Sequence, residues 1–323
     1  MDDIIALRAA IDAHIVRTPL MRCAGIEDLL DDGTTVYGKL ECLQRTGTFK
    51  ARGALSVVRG LDSDQRKPGI TAVSAGNHAI AAAFAAQAFG TSARVVMIRS
   101  ANPCRVAACR AYGAEVVMAD DAHAAFDMAD AIRRQEGRFL VHPFEGVEVA
   151  TGTGTIGVEI AEQCDDFDAV IVAVGGGGLI GGLANAVKRL RPDVAVYGVE
   201  ADGADSMHRS LAAGQPVRLD RVDTIADSLG APYALPYSFS LCQQYVDDCV
   251  LVSDDDLRRT MGLLFEHVKL AVEPACAASA AALLGPLRER LRGQRVVLVF
   301  CGSNIDWHTF ERQAIFSDPA SAP

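Results

Sequence analysis

Thr46-Gly47-Thr48-Phe49-Lys50-Ala51-Arg52-Gly53-Ala54 is the stretch on which the reading of this chain turns. It places one lysine where a loop becomes a helix. Ala54, Val57, Val58 and Leu61 follow Lys50 at helical spacing, and Thr48 is a candidate N-cap. A lysine in the first turn sits at the positive end of the helix dipole, the wrong end for an ammonium. That setting favours the neutral amine, the form able to attack a carbonyl. Taken alone the stretch fits an ordinary surface lysine at least as well, so its surroundings decide.

On both sides strands and helices alternate. Upstream, MDDIIALRAAIDAH reads as an acidic amphipathic helix ending near His14, followed by a strand over Val36–Leu40. Downstream come strand Gly69–Ser74, helix Asn77–Phe89, strand Arg94–Ile98 and helix Cys104–Tyr112. Strand Glu115–Ala119, helix Ala122–Arg134 and strand Phe139–His142 complete a first series. A second series runs helix Gly154–Gln163, strand Ala169–Val174, helix Leu179–Arg189 and strand Val194–Glu200. A helix capped by Ser253 extends to about Leu270, another follows Glu273-Pro274, and a last strand covers Arg295–Phe300. Alternation of this kind predicts an α/β fold with parallel sheets flanked by helices, whose ligands bind beyond the carboxyl ends of the strands.

The bulk numbers narrow the class. A chain of 323 residues has room for two domains. Its net charge of −10 argues against a nucleic-acid partner, and no apolar run reaches membrane-spanning length. The acidic first helix has neither the basic start nor the apolar stretch of a signal peptide. Nine scattered cysteines without C-x-x-C pairing fit reduced thiols in a cytoplasm, with Cys104 and Cys109 read as small buried hydrophobes.

Gly175-Gly176-Gly177-Gly178 follows a strand of consecutive apolar residues and opens a helix. Glycines there let backbone N–H groups close on an anion that the helix N-terminus stabilises, so a phosphate is the expected ligand. Gly176, Gly178 and Gly181 also satisfy G-x-G-x-x-G, with Glu200 at the end of the next strand where a dinucleotide fold puts its ribose-binding acid. A nicotinamide-dependent oxidoreductase is therefore a rival, although it leaves the Lys50 and Asn77 stretches unexplained.

With TGTFKARGA, SAGNHA at 74–79, AYGAEV at 111–116, HPFE at 142–145, GGGGLIGG at 175–182, TIAD at 224–227 and CGSNID at 301–306 in one order, the chain resembles the fold type II pyridoxal-phosphate enzymes. It most resembles their threonine/serine dehydratases. The resemblance implies a two-domain fold like that of the tryptophan synthase β chain: a large domain of residues 1–67 and 145–323, and a small inserted domain of residues 68–144. It implies that Lys50 anchors the cofactor covalently, that Phe49 packs beside its ring, and that Gly175, Gly176, Gly177, Gly178 and Leu179 hold the phosphate. Asn77 is expected on the ring hydroxyl and Cys301 at the pyridine nitrogen. Ser74, Ala75, Gly76, Asn77 and His78 are expected to bind the substrate carboxylate. The implied reaction is β-elimination from a β-hydroxy amino acid such as threonine or serine, giving a 2-keto acid and ammonia, with Lys50 as the base that takes the α-proton.

Ala75 separates two activities, because similar serine racemases carry a serine there. Alanine has no proton to give on the face opposite the lysine, so a dehydratase is favoured over a racemase. A hydroxyaspartate dehydratase of the same fold also fits. Ile80 and Thr153 stand where the family has glutamine, and Ser228 where it has glycine, leaving the substrate side chain open. Glu200, Ala204 and Ser206 fall on the divalent-metal positions of the racemase-like subgroup. Aspartate is usual at the third, so no metal is expected. His78 is read as a loop-ordering hydrogen bonder, His142 as a turn residue and Arg52 as an ion-pair partner supporting the lysine helix. The resemblance further implies a homodimer or homotetramer without an appended regulatory domain.

Overall fold

The computed structural model describes residues 1–74 and 76–316. Among the described residues ten strands build two sheets: β1 (Leu20–Arg22), β2 (Thr35–Lys39), β3 (Ile70–Val73), β4 (Ala93–Ile98), β5 (Glu115–Ala119), β6 (Phe139–Leu140), β7 (Ala169–Ala173), β8 (Ala195–Ala201), β9 (Asp248–Val252) and β10 (Arg295–Val299). The larger sheet has the order β1-β2-β10-β7-β8-β9, parallel except for its edge pair β1 and β2. The smaller has the order β5-β4-β3-β6 and is parallel throughout. Central strands such as β7 (AVIVA) are buried at every residue, as a strand covered by helices on both faces requires.

One apolar core surrounds the larger sheet. A second surrounds the smaller sheet, and it also takes in Leu7 and Ile11 from the first helix and Ala51, Ala54, Leu55 and Val58 from the helix Lys50–Gly60. The lysine helix is therefore clamped from several sides. Its Arg52 is fully buried, and pairs with Glu41 at 2.8 Å and Glu159 at 2.7 Å. Glu159 lies on the helix Val147–Gln163, whose second ion pair is with the equally buried Lys39 at 2.6 Å. At Gly152 this helix passes so close that an added Cβ would meet the Arg52 carbonyl oxygen at 2.5 Å.

Several local expectations change. The helix expected from Gly154 begins at Val147, because packing of Gly152 on the lysine helix outweighs the poor helix propensity of Thr151-Gly152-Thr153. The helix expected to reach Leu270 is α-helical over Asp254–Leu263 and continues as a π-turn over Leu264–Val268, ended by Lys269 in the left-handed region at φ 65°. The N-cap of the lysine helix is Phe49, although the Thr48 hydroxyl does accept from the Lys50 amide at 3.3 Å. Cys109 is buried, but Cys104 is exposed. Among the described residues no helix is long and apolar enough to cross a membrane.

Candidate active site

The loops that follow β3, β7 and β10 open onto one cavity of about 750 Å³. Lys50, Phe49, Ser74, Gly76, Asn77, His78, Gly175 to Gly178, Leu179 and Cys301 all line it. Residues up to 251 positions apart in the chain, Lys50 and Cys301, thus share one space. Ala75 lies outside the described residues.

Lys50 opens its helix and faces the cavity, which is its route to solvent. Its Nζ donates to the Pro143 carbonyl at 2.6 Å and sits 5.1 Å from the centroid of the Phe49 ring. Burial lowers its pKa to about 8, with Cys301 and Glu273 offsetting part of that effect. The amine is therefore neutral in a useful fraction near neutral pH, as a nucleophile or base must be.

Gly175–Gly178 joins β7 to the helix Gly178–Leu190. Gly177 has φ 85°, and a Cβ on Gly176 or Gly178 would overlap Phe144. No side chain caps this helix, so its first amides, which have no intrahelical acceptor, point outward. Thr153 anchors the turn from behind, its hydroxyl donating to the Gly178 carbonyl at 2.8 Å. Uncapped amides at the start of a helix that opens onto the cavity, on glycines packed too closely against Phe144 to carry a Cβ, fit a phosphate group.

The HPFE turn supports both features. His142 Nδ1 accepts from the amides of Phe144 at 3.3 Å and Glu145 at 3.0 Å, which places its proton on Nε2. Burial holds its pKa down near 4, against the opposing pull of Glu145. Glu145 in turn accepts from the amides of Tyr237 at 2.7 Å and Ser238 at 3.0 Å. The turn so held presents the Pro143 carbonyl to Lys50 and the Phe144 ring to the glycines. His78 bonds the Val141 carbonyl at 2.8 Å through Nε2, and burial together with Lys50 lowers it to about 3.

Asn77 is held on both sides of its amide. Its Nδ2 donates to Glu273 at 2.7 Å and Ser228 at 3.1 Å, and its Oδ1 accepts from Asn304 at 2.8 Å. Both Nδ2 hydrogens are thus engaged. Ser228 therefore makes a polar contact rather than a bare turn. Arg105 ties the same group together, through the Asn304 carbonyl at 3.0 Å, Asp227 at 2.5 Å and Glu273 at 3.4 Å. Burial pushes Glu273 up to about 7, and Arg105 limits the rise. Neither Arg105 nor Glu273 stands out in the sequence: Glu273 reads as the cap of the helix Pro274–Leu284, while its side chain turns into the cavity.

Other residues fall elsewhere. Glu200 is fully buried away from the cavity, its oxygens accepting from the amides of Met207 at 2.9 Å and His208 at 2.6 Å. Burial raises it to about 8. It holds the first amides of a helix and does not reach the cavity, so it does not serve as a ribose-binding acid there. Ala204 and Ser206 are buried beside it, and among the described residues no group of three His, Cys, Asp or Glu could hold a metal ion. Ile80 belongs to the core of the smaller sheet, so neither it nor Thr153 lines the cavity. Cys301 lies against the thiol of Cys276.

The family model described as "Pyridoxal-phosphate dependent enzyme" matches residues 11–302. The chain is 52% identical over 309 residues to phenylserine dehydratase of Ralstonia pickettii, covering 96% of this chain and 94% of that one. It is 36% identical over 313 residues to L-threonine ammonia-lyase of Thermotoga maritima, covering 97% of this chain and 77% of that one. Among solved structures, maize serine racemase superposes with a TM-score of 0.91 at 31% identity, covering 96% of this chain and 95% of that one.

Proposed function

Because the chain belongs to the pyridoxal-phosphate dependent enzymes, we propose that it is a lyase removing water and ammonia from a β-hydroxy amino acid to leave a 2-keto acid. The observation that carries this is one cavity uniting an amine lowered to about 8, an uncapped glycine-lined helix start and a thiol. Pyridoxal phosphate supplies, when bound, an acceptor for the electron pair left at the substrate α-carbon.

The chain's own residues divide the remaining work. The amides of Gly175, Gly176, Gly177, Gly178 and Leu179 would hold the phosphate, Asn77 the ring hydroxyl and Phe49 one ring face. Lys50 would anchor the cofactor, then take the α-proton on Nζ once substrate has displaced it. Cys301 would meet the pyridine nitrogen. Ser74, Ala75, Gly76, Asn77 and His78 would receive the substrate carboxylate, where the N-terminus of the helix Asn77–Ala88 favours an anion. We take residues 1–67 and 145–323 as the cofactor-binding domain and 68–144 as the small domain. The same reading carries a cytoplasmic homodimer or homotetramer, which sedimentation and fractionation would check.

The test is a spectrum and a substrate panel. The purified protein should absorb in the near-violet, lose that band on borohydride reduction and retain the cofactor at Lys50. It should release keto acid from one or more of serine, threonine, 3-hydroxyaspartate and 3-phenylserine. A colourless protein that binds NAD would overturn the reading. Likeness to serine racemases favours a second reading, racemisation, against which Ala75 argues; chiral analysis of serine after incubation decides it.

A further inference from the structure

The mouth of the cavity is lined by apolar side chains that nothing in the chemistry above uses. Phe126 projects from the helix Ala122–Glu136, whose Ala125, Ala129 and Ile132 bury themselves on the smaller sheet. Phe126 is instead 55% exposed, and it lines the cavity that holds Lys50. A phenyl ring left open toward an active-site cavity is an apolar surface awaiting a partner.

A further part of the lining belongs to the segment running from Arg218 to Tyr233. It is held by a β-bridge between those two residues and by the Leu219 amide donating to the Pro232 carbonyl at 2.8 Å. Leu219, Val222 and Tyr233 from this segment line the cavity, and the Tyr233 ring lies 6.3 Å from that of Phe144. Two of the charged neighbours are paired with charges, Asp227 with Arg105 and Arg221 with Asp223, and Arg218 stacks 5.9 Å from the Tyr233 centroid. Phe126, Leu219, Val222 and Tyr233 give this part of the lining an apolar and aromatic character.

Resting on the dehydratase reading above, we propose that Phe126, Leu219, Val222 and Tyr233 seat an aryl group on the substrate β-carbon. The preferred substrate is then a β-aryl-β-hydroxy amino acid of the 3-phenylserine kind, and Phe126 sets that preference. An aryl ring seated on these side chains gains from burial and from the offset or edge contacts that aromatic pairs adopt.

The experiment measures kcat/KM of the holoenzyme for threo-3-phenylserine, threonine and 3-hydroxyaspartate, in the wild type, Phe126→Ala and Phe126→Leu. Calorimetric binding of 3-phenylpropionate, which has no amine and cannot react, gives a second readout. Phe126→Ala should lower the phenylserine/threonine ratio of kcat/KM by roughly 10–100-fold, mostly through KM, with a smaller drop for Phe126→Leu. The affinity for 3-phenylpropionate should fall in parallel. Equal losses on phenylserine and threonine, or unchanged 3-phenylpropionate binding, overturn the aryl seat and leave the dehydratase reading standing. So does a wild type that prefers threonine or 3-hydroxyaspartate. A wild type that releases keto acid from no member of the panel overturns the dehydratase reading itself.

Discussion

Replacing Arg52 by methionine should destabilise the protein more than any surface change, although Arg52 touches no ligand. Its guanidinium makes six hydrogen bonds: two to Glu41, two to Glu159, one to the Thr155 hydroxyl and one to the Val16 carbonyl. With Lys39 these residues form a balanced set of two cations and two carboxylates, each at most 1% exposed. Methionine keeps the apolar stem but strands a charge. Glu159 retains Lys39 at 2.6 Å, whereas Glu41 is left with the Thr18 hydroxyl at 2.5 Å. Burial alone pushes the Glu41 pKa up, and it is Arg52 that brings it below the ordinary carboxylate value. Breaking a buried pair from one side costs about 3–5 kcal/mol. A chain of 323 residues loses about 0.7 kcal/mol per kelvin near its midpoint, so Tm should fall by about 4–7 K. The assay is thermal unfolding by circular dichroism at fixed protein and cofactor concentration, since either shifts Tm by mass action. Two further readings isolate the cause. Adding Glu41→Gln to Arg52→Met removes the orphaned charge and should recover about 1–2 kcal/mol. The single variant should also be less impaired at pH 5 than at pH 8, because a Glu41 freed from Arg52 can take up a proton. A single variant within about 1 kcal/mol of wild type, or a double variant no better than the single, refutes the account.

Lys50→Ala should abolish turnover and covalent cofactor retention while leaving the circular dichroism spectrum intact; substantial remaining activity sinks its role as anchor and base. Gly178→Ala drives a Cβ into the backbone of Phe144, so the loop must shift. Its cofactor affinity should drop about tenfold or more at roughly 1–3 kcal/mol of overpacking, read by equilibrium dialysis. Glu273 keeps its proton in the fold up to about 7 and loses it near 4.5 when unfolded. Between those values the fold binds the extra proton, so wild-type stability is eroded as pH rises through the window. Glu273→Gln removes that erosion and should gain on wild type between pH 4.5 and 7, then stay level. A pH-independent difference in Tm would contradict it.

How much of this was legible from the chain alone follows from where each signal lies. Strand β7 is an unbroken apolar run and β10 is one from Val296 onward, and the loops after them carry glycine or small polar residues, so the parallel sheets and the cavity edge are visible locally. Lys50, Asn77 and Cys301, which line that cavity, can also be singled out, because each sits in a short motif. What stays hidden depends on partners distant in sequence. Arg105 meets Glu273 across 168 residues, and neither belongs to a motif. Phe126 reads as one more apolar helix residue until its neighbours Ala125 and Ala129 are seen buried and it is not. Thr151-Gly152-Thr153 reads as a helix breaker because the reason for Gly152 is the backbone of Arg52, a hundred residues earlier. The glycine loop shows the same physics most sharply. Four glycines in a row read as room for a phosphate, yet Gly176 and Gly178 are also required by Phe144, and Gly177 by its positive φ. Glycine there is overdetermined, so the run by itself says little about what binds. The discriminating fact is that an uncapped helix start and an amine lowered to about 8 open into the same space, which only the folded chain brings about.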